Sequence, residues 1–397
     1  MKTKQIFTGI LLTSIFFTGC KKDDTTEGTT DIDALKSSTK TTYADLAYAN
    51  YSDALSTAEN LKIKIDEFVS SPSESTLDAA KTAWLEAREP YGLTEAFRFS
   101  EGPIDDADGP EGLLNAWPLD EGYIDYTSAS DSGIVGRTTE FSNLTASVLE
   151  GANEGLGSES NVAIGYHAIE FLLWGQDNTP VGDKIAGQRP YTDYTTADNY
   201  ARRGDYIKVC ADLLVDHLQL MVNEWNPDGT SNFRATFLGW ENDYAIKTIL
   251  TGIGIFSKGE LAGERMFAAL EFQDQENEHS CFADNTHRDI ILNAKSIRNI
   301  FIGEYEKLDG NLVSGVSLED IIKTQNSSLA AEWETLSSQS VTQCESIPVP
   351  FDYAITQETI TGNGTIMIAI KSLQDQGDKI AEVAGELGYT ISVALPD

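Results

Sequence analysis

The sequence predicts an all-α fold, and three observations carry that expectation. Apolar residues recur at steps of three and four over several long stretches, period-two alternation is rare, and Ser, Pro and Gly clusters separate the stretches. Tyr43, Leu46, Ala47, Ala54, Ala58, Leu61, Ile65 and Phe68 mark a first amphipathic helix, which Ser70-Ser71-Pro72-Ser73 breaks. A second helix follows over residues 77–89. Tyr206, Cys210, Leu213, His217 and Leu220 form a further stripe, and Ile290, Ala294, Ile297, Phe301 and Tyr305 another; residues 366–387 read as the last long helix. Residues 100–133 and 175–199 are rich in Gly, Pro and Asp and read as long loops, a length that marks functional segments or loops ordered by partners. The chain has 397 residues, enough for roughly two to three domains. The turn Trp225-Asn226-Pro227-Asp228-Gly229 argues for two halves, residues 41–205 and 206–397, each with room for about four helices.

Charge excludes one class of function. There are 28 Lys and Arg against 63 Asp and Glu, a formal charge of -35, so a phosphate backbone is repelled and nucleic-acid binding is not expected. Four Cys and four His are too few for a zinc-finger array or a disulfide scaffold. The N-terminus reads as an address. Lys2 and Lys4 precede an apolar run over residues 6–17, too short to span a bilayer but suited to a signal peptide. Thr18-Gly19-Cys20 then resembles a lipoprotein signal, with residues 1–19 removed and Cys20 acylated as the membrane anchor; an ordinary secretory signal is the alternative. Lys21-Lys22-Asp23-Asp24 resembles the short signal that sends some lipoproteins to the outer-membrane surface, with a periplasm-facing anchor as the alternative. Residues 20–40, rich in Thr, Asp and Ser, read as a flexible tether.

The sharpest constellation is Gly165-Tyr166-His167-Ala168-Ile169-Glu170, within a segment apolar nearly all round and therefore expected to be buried. The i,i+3 spacing puts His167 and Glu170 on one helix face. A buried carboxylate needs an Arg, a metal ion or a retained proton. A Glu170–Arg bridge beside a core His167 and a metal-ligand pair both satisfy that need. Arg88 and Glu95, seven residues apart and flanked by Tyr91, Phe97 and Phe99, suggest a buried salt bridge. His217 on its apolar stripe reads as core. Thr286-x-x-Asp289 fits a capping box, and residues 274–278 fit a solvated acidic run. Residues 105–109 depart too far from the EF-hand pattern to be a calcium loop. Cys281 and Cys344 are candidates for a disulfide in an oxidising compartment.

The GxHxxE motif resembles the imelysin-like superfamily, peptidase family M75, and its iron-regulated protein A branch. Arg88-Glu89-Pro90-Tyr91, Thr94-Glu95-Ala96-Phe97, Gly109-Pro110-Glu111-Gly112, Trp117-Pro118-Leu119-Asp120, residues 258–266, Glu278-His279-Ser280-Cys281-Phe282 and Asp284-Asn285-Thr286-His287 extend the resemblance over most of the chain. It implies two similar four-helix bundles with a site between them, and a link to iron uptake through an envelope transport partner. The ligands it implies are His167 and Glu170, completed by Glu95 and Asp120, with Arg88 as a further site residue; the cargo is iron or an iron chelate, with zinc as the other candidate. Binding needs a neutral imidazole, so affinity is expected to fall as pH drops through about 6.5. Zinc peptidase activity is the rival reading. HExxH is absent; an HxxE pair with His279 or His287 as third ligand would resemble zinc carboxypeptidases, whose α/β sheet this chain does not predict. A third reading leaves His167 and Glu170 purely structural.

Overall fold

The computed structural model describes residues 31–106, 109–130 and 133–395; the signal segment, Cys20 and the first part of the expected tether lie outside them. Helix α1 is Ile32–Ser70, so residues 32–40 are helical rather than tether. Polar composition misleads here because these side chains find specific acceptors. Thr39 Oγ1 donates to the Ser317 carbonyl at 3.2 Å, and Lys40 Nζ donates to the carbonyls of Leu238 and Trp240 at 3.1 and 2.6 Å.

Ser73 opens α2 (Glu74–Gly92) with a reciprocal capping box to Thr76. Helix α3 (Gly165–Trp174) carries the GxHxxE motif, and all ten of its residues are buried. Gly165 sits at φ +89, where a Cβ would lie 2.6 Å from the Leu114 carbonyl oxygen, so the helix can start there only with glycine. Helix α4 is Tyr200–Trp225. Helix α5 (Asn242–Ile255) runs on as a π-helical stretch, Phe256–Phe267. Helix α6 is Thr286–Ile302, after which Gly303 at φ 69 ends it. Tyr305, expected on the α6 stripe, therefore lies in a small antiparallel hairpin, β1 (Glu304–Glu306) with β2 (Leu312–Ser314), where it pairs with Val313. Helices α7 (Ser327–Glu345) and α8 (Thr365–Glu386) complete the longer elements.

Packing groups these helices into two sets. Helices α1, α2, α3 and α4 lie against one another, and so do α5 with its π-helical extension, α6, α7 and α8. The expected boundary between residues 205 and 206 thus falls inside α4, which belongs with α1. The turn at residues 226–229 follows the end of α4, which stays buried on this side up to Trp225. Helices α2 and α6 touch across the two sets, which brings Arg88 and Asp289 together.

The two long loops are held by buried charge. Asp125 takes Arg203 Nε at 2.6 Å and Arg189 at 2.9 Å, and Arg189 also reaches Asp193 at 3.1 Å. Cys281 and Cys344 are both free thiols, so the expected disulfide is not formed: Cys344 is buried on α7, and Cys281 sits in the loop before α6. No helix among the described residues is long and apolar enough to cross a membrane.

Candidate functional site

The α3 helix delivers His167 and Glu170 one turn apart, and the structure joins them directly. His167 Nδ1 and Glu170 Oε2 are 2.9 Å apart, with side chains 1 % and 0 % exposed. The other carboxylate oxygen, Oε1, accepts the Ala283 N–H at 2.9 Å. Glu170 is thereby committed on both oxygens, while His167 Nε2 is buried with no hydrogen-bond partner. Burial pushes the Glu170 carboxyl well above its usual range, against the pull of the Ala283 and Phe282 backbone N–H groups. Burial, with His279 and Arg88 nearby, pushes His167 well below the usual histidine value. Both changes favour a neutral pair.

A second carboxylate–imidazole pair faces the first. The His279 ring lies 4.8 Å from the His167 ring, centroid to centroid and edge-on. Its Nδ1 is 3.1 Å from Asp289 Oδ2, and its Nε2 is 3.3 Å from the Asn115 amide nitrogen. Burial and then Arg265 lower His279 to about 4, so it is neutral at pH 7. Burial by itself would raise the Asp289 carboxyl, but Arg88 and His279 beside it hold it far below the carboxylate range. Arg88 donates to Asp289 Oδ1 from Nε at 3.2 Å and to Asn115 Oδ1 at 2.6 Å, and packs its guanidinium over the Tyr166 and Tyr91 rings. Each imidazole thus has Nδ1 held by a carboxyl group; Nε2 of His279 meets the Asn115 amide, and Nε2 of His167 is left without a hydrogen-bond partner.

His279 opens this buried pair to a cleft of ≈ 440 Å³ whose lining includes Trp117, Glu111, Glu260, Arg98 and Arg265. The π-helical stretch supplies two of these. It places Arg265 Nη2 2.6 Å from Glu95 and 2.9 Å from Glu260, and Arg265 Nη1 2.9 Å from Asn293 on α6. Such departures from regular α-helix recur at functional sites. Burial opposes ionisation of Glu95, but Arg265 and Arg98 hold its carboxyl below the usual value. Glu111, 3.2 Å from Arg98, is nonetheless raised to about 7 by burial and by the neighbouring Glu95.

Residues 47–380 match the family described as Imelysin, peptidase M75, a span that includes both pairs and the cleft. The chain belongs to the imelysin family. It is 22 % identical over 312 residues to iron-regulated protein A of Synechococcus elongatus, covering 76 % of this chain and 73 % of that one. Its fold is similar to a crystal structure described as an iron-regulated protein A precursor from Parabacteroides distasonis, with TM-score 0.70, 19 % identity and coverage of 89 % of this chain and 95 % of that one. An imelysin-like protein from Psychrobacter arcticum aligns with TM-score 0.61 at 15 % identity, covering 91 % and 98 %.

In this imelysin chain the residues singled out from sequence divide three ways. His167 and Glu170 come together, but with Glu170 as the group that orients His167 through Nδ1. Arg88 joins them through Asp289 and Asn115, not through Glu95. Glu95 is instead spent on Arg265, with the Asn115 amide 3.5 Å away. Asp120 is exposed at the start of the short helix Glu121–Ile124, whereas His167 is buried, so it is not brought to the pair. His287 turns Nδ1 to the Asp284 carbonyl.

The sequence reading gave Asp289 only a capping role and gave Asn115 and Arg265 no role of their own at the site. Thr286 and Asp289 do not form a capping box: Asn285 precedes the helix without a side-chain cap, Thr286 Oγ1 accepts the Ser280 N–H, and Asp289 turns to His279 and Arg88. Nor are residues 274–278 a uniformly solvated run, since Glu278 is buried. The available signal was the clustering of motif residues around His279, each too far along the chain to be paired by spacing.

Proposed function

We propose that the chain binds a first-row metal cation, iron, through His167 Nε2 and His279 Nε2, with remaining positions filled from the cleft, as an envelope lipoprotein serving iron uptake. The observation that carries this reading is His167 Nε2, a buried ligand atom with no partner whose ring is fixed by Glu170. Neutral imidazoles suit iron and zinc, and the names of the related iron-regulated proteins favour iron. A bound cation would supply an electropositive centre for a chelating ligand; Trp117, Arg98 and Arg265 would contact that ligand in the cleft. Peptidase chemistry is not favoured by the geometry, because Glu170 and Glu95 are both engaged by other groups; incubation with a peptide library is expected to leave it uncut.

The pair's proton gives a specific test. With Glu170 raised and His167 lowered, the free pair holds a proton on Glu170 Oε2, donated to Nδ1, and a second on Nε2. To present Nε2 to a cation, the ring loses the Nε2 proton and Nδ1 takes the proton from Glu170. Binding should therefore release about one proton. Titrations with Zn²⁺ in buffers of different ionisation enthalpy should show this release, with affinity rising with pH up to the raised value of Glu170. This moves the expected pH dependence from imidazole at about 6.5 to the carboxyl. Binding without proton release would sink the assignment to His167.

Location is tested separately. Cys20→Ser should move the protein from the membrane fraction to the soluble fraction, and protease added to intact cells should remove the wild type. Unchanged membrane retention would refute acylation at Cys20, and full protection would place the anchor facing the periplasm.

A further inference from the structure

A second group of carboxylates lies outside the His167–His279 centre. Asp177 follows α3, Asp284 precedes α6, and Asp352 lies in the first turn of the short helix Phe351–Gln357. Three segments far apart in sequence thus converge, with a carboxylate oxygen of each within 4.8 Å of the others. Oxygens of that spread fit around one ion whose ligands sit at about 2.3–2.6 Å. An open cleft of ≈ 410 Å³, lined by Thr179 and Glu276 among others, exposes two of the three, Asp177 and Asp352.

Crowded carboxylates alone would not identify a site, but two buried atoms point to an occupant. Glu278, 1 % exposed, faces the charges of Asp352, Asp284 and Asp177, and its Oε1 has no hydrogen-bond partner. Asp352 is 4 % exposed, and its Oδ1 also has none. Leaving two buried acceptors unsatisfied among like charges is costly. The cation that Asp352 feels is Lys184, whose Nζ stands over the Tyr353 ring, 3.7 Å from its centroid.

We propose that Asp177, Asp284 and Asp352, backed by Glu278, bind a calcium ion. All-oxygen, carboxylate-rich ligation from flexible segments suits calcium; magnesium demands a tighter octahedron and zinc prefers nitrogen or sulfur. The ion fastens the loop after α3 to the segment that carries His279 and Ala283. Ala283 immediately precedes Asp284 and donates the N–H that holds Glu170. Calcium is therefore a clamp on the frame of the histidine centre, separate from any cation bound there.

Thermal unfolding of the purified full chain, stripped with a chelator and then titrated with Ca²⁺ or Mg²⁺, tests this. Saturating Ca²⁺ should raise the Tm by roughly 5 °C. The near-isosteric double variant Asp284→Asn with Asp352→Asn should fold and lose that shift, while His167→Ala should retain it. No Ca²⁺ shift in stripped wild type, an equal shift in the double variant, or a shift with Mg²⁺ alone would overturn the proposal. Calorimetric Ca²⁺ binding by the stripped wild type gives an independent readout: near one ion bound per chain supports the site, and none overturns it.

Discussion

Replacing Arg88 with Ala is expected to destabilise the fold by about 3–5 kcal/mol, the cost of leaving a buried charge without its partner. Arg88 and Asp289 side chains are 1 % and 2 % exposed, and Arg88 also holds the Asn115 amide oxygen. Without the guanidinium, Asp289 keeps only His279 and Ser280 as neutral partners. Chemical denaturation of wild type and variant measures the difference, and a loss under about 1 kcal/mol, the scale of an exposed pair, would contradict the geometry. The acid limb adds a signed check. Folded Asp289 titrates far below its unfolded value of about 3.9. Its contribution is therefore fully present above that value and is lost progressively as pH falls below it. Arg88→Ala should flatten this loss, because the folded and unfolded values then move together.

His167→Ala is expected to reduce affinity for Fe²⁺ and Zn²⁺ by more than 100-fold, and Glu170→Ala by roughly 10–100-fold. The second figure is typical for losing the group that orients a metal-binding histidine. The two variants separate the proposed roles: the first removes the proposed ligand atom, the second only the group bonded to its Nδ1. Calorimetry at pH 7 reads both. Equal affinity in wild type and both variants would leave His167 and Glu170 structural; a larger effect from Glu170→Ala than from His167→Ala would make the carboxylate the ligand after all.

Much of this was legible in the chain. The positions of α1, α2 and α8 follow the three- and four-residue apolar steps, because a helix that packs on one side must repeat its contacts with its own pitch. Misreadings occurred where short-range composition stood in for packing. Residues 32–40 look like a tether because they are polar, yet Thr39 and Lys40 are buried against Ser317, Leu238 and Trp240. Thr286 and Asp289 have capping-box spacing, yet Ser280 and His279 compete successfully for them.

The sequence by itself determined that His167 and Glu170 share a helix face and are buried, because both follow from helical pitch and an apolar surround. Only the tertiary structure decided which groups they and Arg88 meet. Glu170 takes its second bond from Ala283, 113 residues away, and Arg88 finds Asp289, 201 residues away, in preference to Glu95, seven residues along. Pitch fixes neighbours within a turn or two. Partners of buried charges are selected by which helices pack together, and by the cost of leaving a charge in the interior without one.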